Sequence, residues 1–502
     1  MRSRSGIEFS DVAAATFVVG KDLIEADFLT IQEALDNLPP DGGMIFVLEG
    51  IYSIASTISI TKSGTRIVGS GSKTVIRKAA GLAIGISAVG KDDITLSNIR
   101  FEADPATPNF QSTEILVYFE TCNNVIVRDC QFYSLNVGGK PTMFSQLYLN
   151  FCNYSLVAGC LFQGAVGQGT SANGDATGTV GVGCKFESNT FLDFVDTGLG
   201  LLTNCRDCIA VGNNFKAWPV ASGLSTITRV SIDVAGAQNP VIISNQIVGS
   251  TNGIRVLTNL VYTNLNVLIE ANSIRDQEGT GTEPPQCVKV THADAQEMSL
   301  YVKNNYFRIV GVAYATGTNC CVTLVSTNTT GVLIAEIDGN VFDGADAVGR
   351  GFTAQGLAGA GRIRFVPGVN YFKLAGTPIT TLGAGGVTFE VADHTRNRSA
   401  QQGASWATLN FNNAATVNVM YTGRYSPGVY AVRISFGAMT DVAAGVNGFI
   451  LGNGQAFDQS LANTTVEKIE PFNADADTDI EYTSHPAGNN YTVNDISINR
   501  LV

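Results

Sequence analysis

The side chains best suited to chemistry in this sequence are a few carboxylates near the middle of the chain. Asp196, Asp233 and Glu120 are candidates because glycosidic hydrolysis usually requires two carboxyl groups. Arg229 lies between the two aspartates in sequence and could supply the basic group that a β-eliminative lyase needs. These four residues form the candidate catalytic set.

A second group of residues suits binding better than catalysis. Tyr118 and Tyr148 offer flat apolar rings of the kind that pack on a sugar, and Asn150 offers hydrogen bonds to hydroxyl groups. Trp218, in a predicted loop over residues 216–226, completes the candidate carbohydrate-binding set. The alternative is that the tyrosines pack against a neighbouring subunit or an inserted loop.

Whether these side chains can meet depends on a motif that recurs through the chain. It is a short run of alternating apolar residues, a turn-former, one spacer and a large apolar residue, here called the anchor. The anchors are Phe101, Phe132, Phe162, Phe191, Phe215, Ile247, Ile274, Phe307, Phe342 and Phe372. Their spacing of 24 to 35 residues predicts a solenoid, and the alternation within each repeat predicts strands.

Aligning the repeats on their anchors predicts which side chains face solvent. The predicted outward pairs are Tyr118 with Glu120, Tyr148 with Asn150, Thr177 with Thr179, Leu201 with Thr203, and Asp233 with Ala235. The two tyrosines should therefore stack on neighbouring coils. Glu120 and Asp233 should lie four coils, roughly 19 Å, apart, which is too far for direct pairing.

The remaining charged cluster is Asp196, Arg229, Asp233 and Arg255. Its alternative interpretation is a ladder of surface ion pairs, which are common and contribute little to stability. No three carboxylates fall in register, so the sequence predicts no metal site and no cofactor.

Two residues before the anchor, asparagine recurs from Asn189 to Asn370 and should form a ladder at the turns. Cys130 and Cys160 occupy the same column earlier in the chain, and Cys122, Cys152 and Cys205 share a second column. Such thiols are expected to stack inside the solenoid. Cys205-Arg-Asp-Cys208 could alternatively be a redox or metal pair.

The stretch DFLTIQEALDNLPPDGGMIFVLEGIYSI, residues 27–54, has the spacing of a capped helix followed by a turn and a buried strand. It resembles the entry of the pectate-lyase-like right-handed parallel β-helix superfamily, and the asparagine column resembles that superfamily's ladders. The resemblance implies an all-β, right-handed, single-stranded parallel β-helix of about 10–12 coils. Within the superfamily the chain is most similar to bacteriophage tailspikes and virion fibres.

The predicted organisation has four parts. A leader or attachment segment spans 1–25, the β-helix with its N-terminal capping helix spans 26–375, and a linker spans 376–402. Residues 403–502 have the turn spacing of a β-sandwich, either a carbohydrate-binding or trimerisation tip or a simple end-cap. Segments 163–178, 216–226 and 275–286 are predicted as exposed loops.

Composition excludes several classes of function. The net charge of −12 argues against a nucleic-acid partner. No apolar stretch is long enough for a membrane span, and the start lacks the pattern of a secretory signal. Free cysteines point to synthesis in a reducing cytoplasm. The His-Gly pattern of pectin hydrolases is also missing.

The leading hypothesis is a homotrimeric tailspike or fibre-type virion protein that binds a bacterial surface polysaccharide and contacts other virion proteins. Whether it also cleaves the glycan, as a hydrolase or a lyase, stays open at this point. One alternative is a non-enzymatic structural or decoration protein of a virus particle. Another is a bacterial polysaccharide lyase or hydrolase.

Overall fold

The computed structural model describes most of the chain up to residue 389 and the strands beyond it. The described ranges are 16–103, 114–134, 143–174, 179–219, 228–258, 265–279, 283–293, 297–309, 320–327, 331–344, 350–356, 362–367, 370–374, 379–382, 387–389 and the C-terminal strands given below. The chain divides into two compact units, Met1–Gly200 and Leu201–Val502, called unit 1 and unit 2.

In unit 1 the chain visits three parallel sheets, A, B and C, in turn. Sheet A contains Thr16–Val19, Gly43–Val47, Thr65–Gly69, Thr95–Ser97, Ile126–Arg128, Leu156–Ala158 and Lys185–Glu187. Sheet B contains Gly50–Ile54, Thr74–Lys78, Arg100–Ala103, Gln131–Ser134, Leu161–Gln163 and Thr190–Phe194. Sheet C contains Ile58–Ile60, Ile84–Val89, Ile115–Glu120, Met143–Asn150 and Ala165–Asn173, and Thr197–Leu202 spans the division between the units.

Unit 2 repeats the same order of sheets. Its sheet A contains Ile209–Val211, Val241–Ile243, Leu265–Glu270, Met298–Lys303, Val332–Asp338, Arg362–Pro367 and Val387–Phe389. Its sheet B contains Asn214–Ala217, Gln246–Val248, Ser273–Arg275, Tyr306–Ile309, Val341–Gly344 and Tyr371–Leu374. Its sheet C contains Val230–Ala235, Asn252–Leu257, Gln286–His292, Cys320–Ser326, Arg350–Gly356, Ile379–Leu382 and Leu409–Asn412. This is the parallel β-helix that the resemblance implies.

The anchors form the internal stack that their spacing predicts. Phe101, Phe132, Phe162 and Phe191 follow one another in register, with successive ring centroids 5.1, 4.7 and 4.9 Å apart. Each of these rings is at most 1% exposed. Each of these coils therefore contributes one large buried side chain to the core, and stacking of the rings adds to the stability of neighbouring coils.

The predicted asparagine ladder is present, but it does not supply the left-handed backbone. In unit 2, Asn213, Asn245, Asn272, Asn305 and Asn340 are buried and linked coil to coil by amide hydrogen bonds. The positive φ lies one residue earlier, as at Ser244, Ala271, Asn304 and Gly339. In each of these turns the residue before the asparagine adopts the positive φ, and the asparagine side chain makes the hydrogen bonds to the neighbouring coils.

All ten cysteines are free and buried. Cys205 and Cys208 are each 0% exposed, which agrees with the structural interpretation of the CxxC sequence.

The predicted helix spans Ile31–Asn37, with Thr30 as its N-cap accepting a hydrogen bond from the Glu33 amide. Its contacts include the strands Thr16–Val19, Gly43–Val47 and Ile58–Ile60. Thr16–Val19 pairs in parallel with Gly43–Val47, so the predicted leader 1–25 contains a strand. Residues 1–15 lie outside the described residues.

The structure corrects two further expectations. Residues 163–178 were predicted as an exposed loop, but Ala165–Asn173 is a largely buried strand paired with Met143–Asn150. The segment is rich in Gly, Ser, Thr and Ala, which is typical of loops. The same small side chains also fit a strand whose two faces are both covered. Leu201 and Asp233 were predicted to face solvent but are 0% and 6% exposed. Thr177 lies outside the described residues.

The C-terminal part contains antiparallel strands. One set joins Leu409–Asn412, Asn490–Arg500, Gly428–Phe436 and Thr465–Phe472, and the other joins Asn418–Arg424, Asp477–Thr483, Gly448–Leu451 and Ala456–Asp458. Packing of these sheets as a sandwich stays a prediction. The predicted linker 376–402 contains the β-helix strands Ile379–Leu382 and Val387–Phe389, whose Gly- and Thr-rich surroundings conceal their alternation.

No helix within the described part of the chain is long and apolar enough to cross a membrane.

Candidate functional site

The two candidate tyrosines lie side by side on sheet C of unit 1. Ile115–Glu120 pairs with Met143–Asn150 so that Tyr118 is opposite Tyr148 and Glu120 is opposite Asn150. The tyrosine ring centroids are 5.9 Å apart with 28° between the ring planes. All four side chains are half-buried, while the intervening Phe119 is 0% exposed. The predicted stacking and outward placement are therefore present in the structure.

Hydrogen bonding fixes the orientation of this pair. The Asn150 Nδ2 atom donates to the Tyr118 hydroxyl oxygen at 3.1 Å. Burial raises the pKa of Tyr118 above its usual value, the Asn150 hydrogen bond lowers it, and nearby Glu120 raises it further. Burial also raises the pKa of Tyr148. Both phenols stay neutral at physiological pH, so the rings offer apolar faces and hydroxyl groups rather than negative charge.

Polar side chains extend the tyrosine pair along the sheet. Tyr118 is opposite Ser87 on one side, and Tyr148 is opposite Ser171 on the other. Asn150 is opposite Asn173, whose Nδ2 atom donates to the Ser171 hydroxyl at 2.9 Å. We call Tyr118, Tyr148, Glu120 and Asn150 the tyrosine platform. Ser171 and Asn173 are 0% and 5% exposed, so they continue the register of the platform but add no accessible surface to it.

The charged candidates in unit 2 are only partly brought together. Arg255 donates from Nε to Asp233 Oδ1 at 2.9 Å and from Nη2 to Asp233 Oδ2 at 2.7 Å. The two residues are opposite each other on adjacent strands of sheet C. This bidentate pair engages both Asp233 oxygens and fixes the guanidinium relative to the carboxylate.

Arg229 has a different set of partners. Its guanidinium donates to the Trp218 carbonyl at 2.6 Å, to the Glu278 carbonyl at 3.0 Å and to the Thr251 hydroxyl at 3.3 Å. Its side chain is 3% exposed and also forms an ion pair with the Glu278 carboxylate. These contacts give Arg229 a role in holding backbone segments around sheet C. Trp218 itself is half-buried.

Asp196 and Glu120 lie in unit 1, whereas Asp233 lies in unit 2. Asp196 is half-buried and accepts a hydrogen bond from the neighbouring Thr197 hydroxyl at 3.3 Å. The catalytic assignments of these carboxylates and of Arg229 stay predictions. Among the described residues there is no group of three or more His, Cys, Asp or Glu side chains arranged to hold a metal ion.

Sequence reasoning missed Glu283 and Lys289. Lys289 is opposite Arg255 on the next strand of sheet C, and its ammonium lies 2.5 Å from Glu283 Oε1. Glu283 also accepts hydrogen bonds from Asn252 at 3.1 Å and from Thr228 at 2.7 Å. The alternation of Val288, Lys289 and Val290 could have identified the lysine, but Glu283 comes from an insertion whose path the repeat does not specify.

The electrostatics of Glu283 follow from these contacts. Burial raises the pKa of its carboxyl group, but the hydrogen bonds from Lys289, Thr228 and Asn252 outweigh burial, so the pKa lies below the usual value. Glu283 is therefore an anion at neutral pH. A group in this state can accept a proton as a base but is a poor proton donor.

Solved structures of other proteins resemble this chain in fold, but their sequence identity to it is low. No family model matches the chain, and no curated protein matches it. A DFA-IIIase from Arthrobacter chlorophenolicus A6, without its lid, is similar at 13% identity and a TM-score of 0.46, over 68% of this chain and 91% of the other.

ORF18 of Geobacillus virus E2 is similar at 14% identity and a TM-score of 0.43, over 91% of this chain and 76% of the other. The catalytic unit of a thermostable α-1,3-glucanase from Streptomyces thermodiastaticus is similar at 14% identity and a TM-score of 0.48, over 72% of this chain and 64% of the other. These likenesses do not assign an activity. The function has to be argued from the chain's own side chains.

Proposed function

We propose that the protein binds a bacterial surface polysaccharide through the tyrosine platform, as a tailspike or fibre-type component of a virion. The observation that carries the proposal is the half-buried Tyr118–Tyr148 pair with Asn150 hydrogen-bonded to it. A sugar ring presents an apolar face and hydroxyl edges, and this surface offers aromatic faces with amide and carboxylate groups beside them. Homotrimer formation, contacts with other virion proteins and location in the virion belong to the same proposal.

Binding is favoured over cleavage by the state of the carboxylates in unit 2. A glycosidase usually needs one carboxylic acid and one carboxylate, and the acid keeps its proton because its pKa is raised. Asp233 is paired with Arg255, and Glu283 is paired with Lys289. The Arg255 pair engages both Asp233 oxygens, and the Lys289 pair helps to keep the pKa of Glu283 below its usual value, so Glu283 is a poor proton donor. A cleaving enzyme would need to draw its acid from elsewhere in the chain.

The test is binding of the full chain to a panel of bacterial capsular polysaccharides and lipopolysaccharides by biolayer interferometry. Tyr118→Ala and Tyr148→Ala should each weaken binding about tenfold, since each removes most of the apolar area of one ring from the contact, and burial of a large apolar side chain contributes about 1.5–3 kcal/mol. Tyr154→Ala is the matched control, because Tyr154 is 67% exposed and lies in the same unit, in a bend outside the strands of sheet C. Unchanged binding in both platform variants contradicts the proposal.

Two further measurements test its other parts. Light scattering should give three times the mass of one chain. A measured mass of one chain would contradict the proposed homotrimer. Incubation with a bound polysaccharide should release neither new reducing ends nor the absorbance of unsaturated uronates. Release of either product would show that the protein is a depolymerase as well as a binder.

A further inference from the structure

A column of polar side chains follows the strands of sheet C in unit 2, and only its two cations, Arg255 and Lys289, are partly exposed. Consecutive strands place Asp233, Arg255, Lys289, Thr323 and Thr353 opposite one another in register. Two cations are therefore direct neighbours on adjacent strands. Each cation already pairs with one carboxylate, Arg255 with Asp233 and Lys289 with Glu283, and an anion bound between the two cations would be a second partner shared by both.

The cations are more accessible than the carboxylates that accompany them. The side chain of Arg255 is 31% exposed and that of Lys289 is 28% exposed, whereas Asp233 and Glu283 are 8% and 17% exposed. The carboxylates orient the cations from the less accessible side. An approaching ligand therefore meets positive charge first, on a chain whose net charge is −12.

Polar atoms beside the column have unused hydrogen-bonding capacity. Asn252 Oδ1, Gln286 Oε1 and Trp218 Nε1 are buried and make no hydrogen bond within the described structure. Asn252 is opposite Gln286, and Asn252 Nδ2 and the Lys289 ammonium both donate to Glu283 Oε1, which places the Asn252 amide next to Lys289. Asn252 is 0% exposed and Gln286 is 7% exposed. Unpaired groups of this kind are costly, and a hydroxyl group could pair with either the acceptors or the donor.

We propose that this column is a second binding site, and that it takes an acidic sugar unit. The ligand's carboxylate lies between the Arg255 guanidinium and the Lys289 ammonium, and its hydroxyl groups lie towards Asn252 and Gln286. The inference rests on the proposed function, because the acidic sugar is part of the bound polysaccharide. It uses residues of unit 2, whereas the tyrosine platform lies in unit 1.

The experiment is an NMR titration of the full chain with sodium glucuronate, methyl glucoside and sodium acetate. Glucuronate should bind at least tenfold more tightly than either of the other two, because only glucuronate has both the carboxylate and the hydroxyl groups. Its affinity should fall as salt concentration rises, since charge contributes to binding. Equal binding of glucuronate and methyl glucoside overturns the proposal. Equal binding of glucuronate and acetate also overturns it, since it would identify a general anion site.

Variants locate the site. Arg255→Gln and Lys289→Gln should each weaken glucuronate binding at least tenfold. Arg308→Gln and Lys303→Gln, which alter half-exposed ion pairs elsewhere in unit 2, should leave it unchanged. Wild-type affinity in both column variants overturns the assignment.

Two additional variants separate this proposal from misfolding and from the platform. Asp233→Asn combined with Arg255→Gln removes the pair without leaving an unpaired charge, so weakened binding in this folded variant supports the site. Tyr118→Ala should retain glucuronate binding even where it loses the polysaccharide. Loss of glucuronate binding in Tyr118→Ala alone would place the sugar on the platform and overturn the second site.

Discussion

Replacing one internal asparagine tests whether the amide ladder stabilises the coils. Asn272 Oδ1 accepts from the Asn245 backbone amide and from Asn245 Nδ2, both at 2.9 Å. Asn272 Nδ2 donates to the Ile242 carbonyl at 2.9 Å and to Asn305 Oδ1 at 3.0 Å. Asn272→Ala deletes these four bonds at a site that is 1% exposed.

The expected loss follows from the number of bonds. A typical intramolecular hydrogen bond contributes a net 0.5–1.5 kcal/mol, so four lost bonds lower the free energy of unfolding by about 2–6 kcal/mol. The measurement is urea denaturation followed by circular dichroism, together with native-state hydrogen exchange. Hydrogen exchange is included because repeat arrays open locally before they unfold. Protection should fall first in the strands next to Asn272.

Asn266→Ala is the matched control. Asn266 lies in the same coil, is exposed, and makes one side-chain bond to Asn239 at 3.2 Å. Its replacement should change the free energy of unfolding by no more than about 0.5 kcal/mol. If Asn272→Ala costs less than about 1 kcal/mol, comparable to Asn266→Ala, the ladder is not a main source of stability and the reasoning is refuted.

Three other measurements test single features of the fold. Lys78→Met should lower the free energy of unfolding by about 3–5 kcal/mol, because Lys78 is 2% exposed and pairs with Glu114; Lys185→Met, in an exposed pair, should cost less than about 1 kcal/mol and serves as comparison. A thiol reagent should label no cysteine of the native protein, since all ten are buried. Cys122 is the most sensitive reporter, because its hydrogen bond with Cys152 lowers the pKa of its thiol to about 7, and its rapid labelling would show that the coils open. Because the pKa of Glu283 is lowered on folding, its stabilising contribution is present above the ordinary glutamate pKa and lost as pH falls through the folded value. Local stability measured by hydrogen exchange should drop below about pH 4, and Glu283→Gln should remove that component of the drop.

The fold could be predicted because each coil repeats the same physical requirement. A large apolar residue stands at every anchor, and two residues earlier stands an amide or a thiol in every repeat after the first, which has Ile99, so the pattern survives insertions between repeats. Phe132 and Phe162 illustrate this, since their rings stack with only 6° between the planes. Register then placed Tyr118 beside Tyr148 from sequence alone.

The same reasoning failed where composition and register disagree. Ala165–Asn173 has loop-like residues, but pairing with the preceding strand satisfies its backbone and buries its small side chains. Leu201 and Asp233 were assigned to solvent by counting from their anchors, but the count predicts the face of a strand and not whether other segments cover that face. Glu283 could not be placed because long-range contacts, rather than local pattern, determine where an insertion carries its carboxylate.

The positive-φ residues of the turns have a consequence for how such a protein can change in length. Ser244, Ala271 and Asn304 adopt φ values of 57°, 54° and 57°, although their side chains differ. Successive turns are therefore geometrically interchangeable. Removing residues 245–271, one full period of 27 residues, would bring Asn272 to the ladder position of Asn245. Deleting or duplicating one coil should therefore change the length of the β-helix in unit 2 by about 4.8 Å, the spacing of neighbouring strands, without any change to the turns.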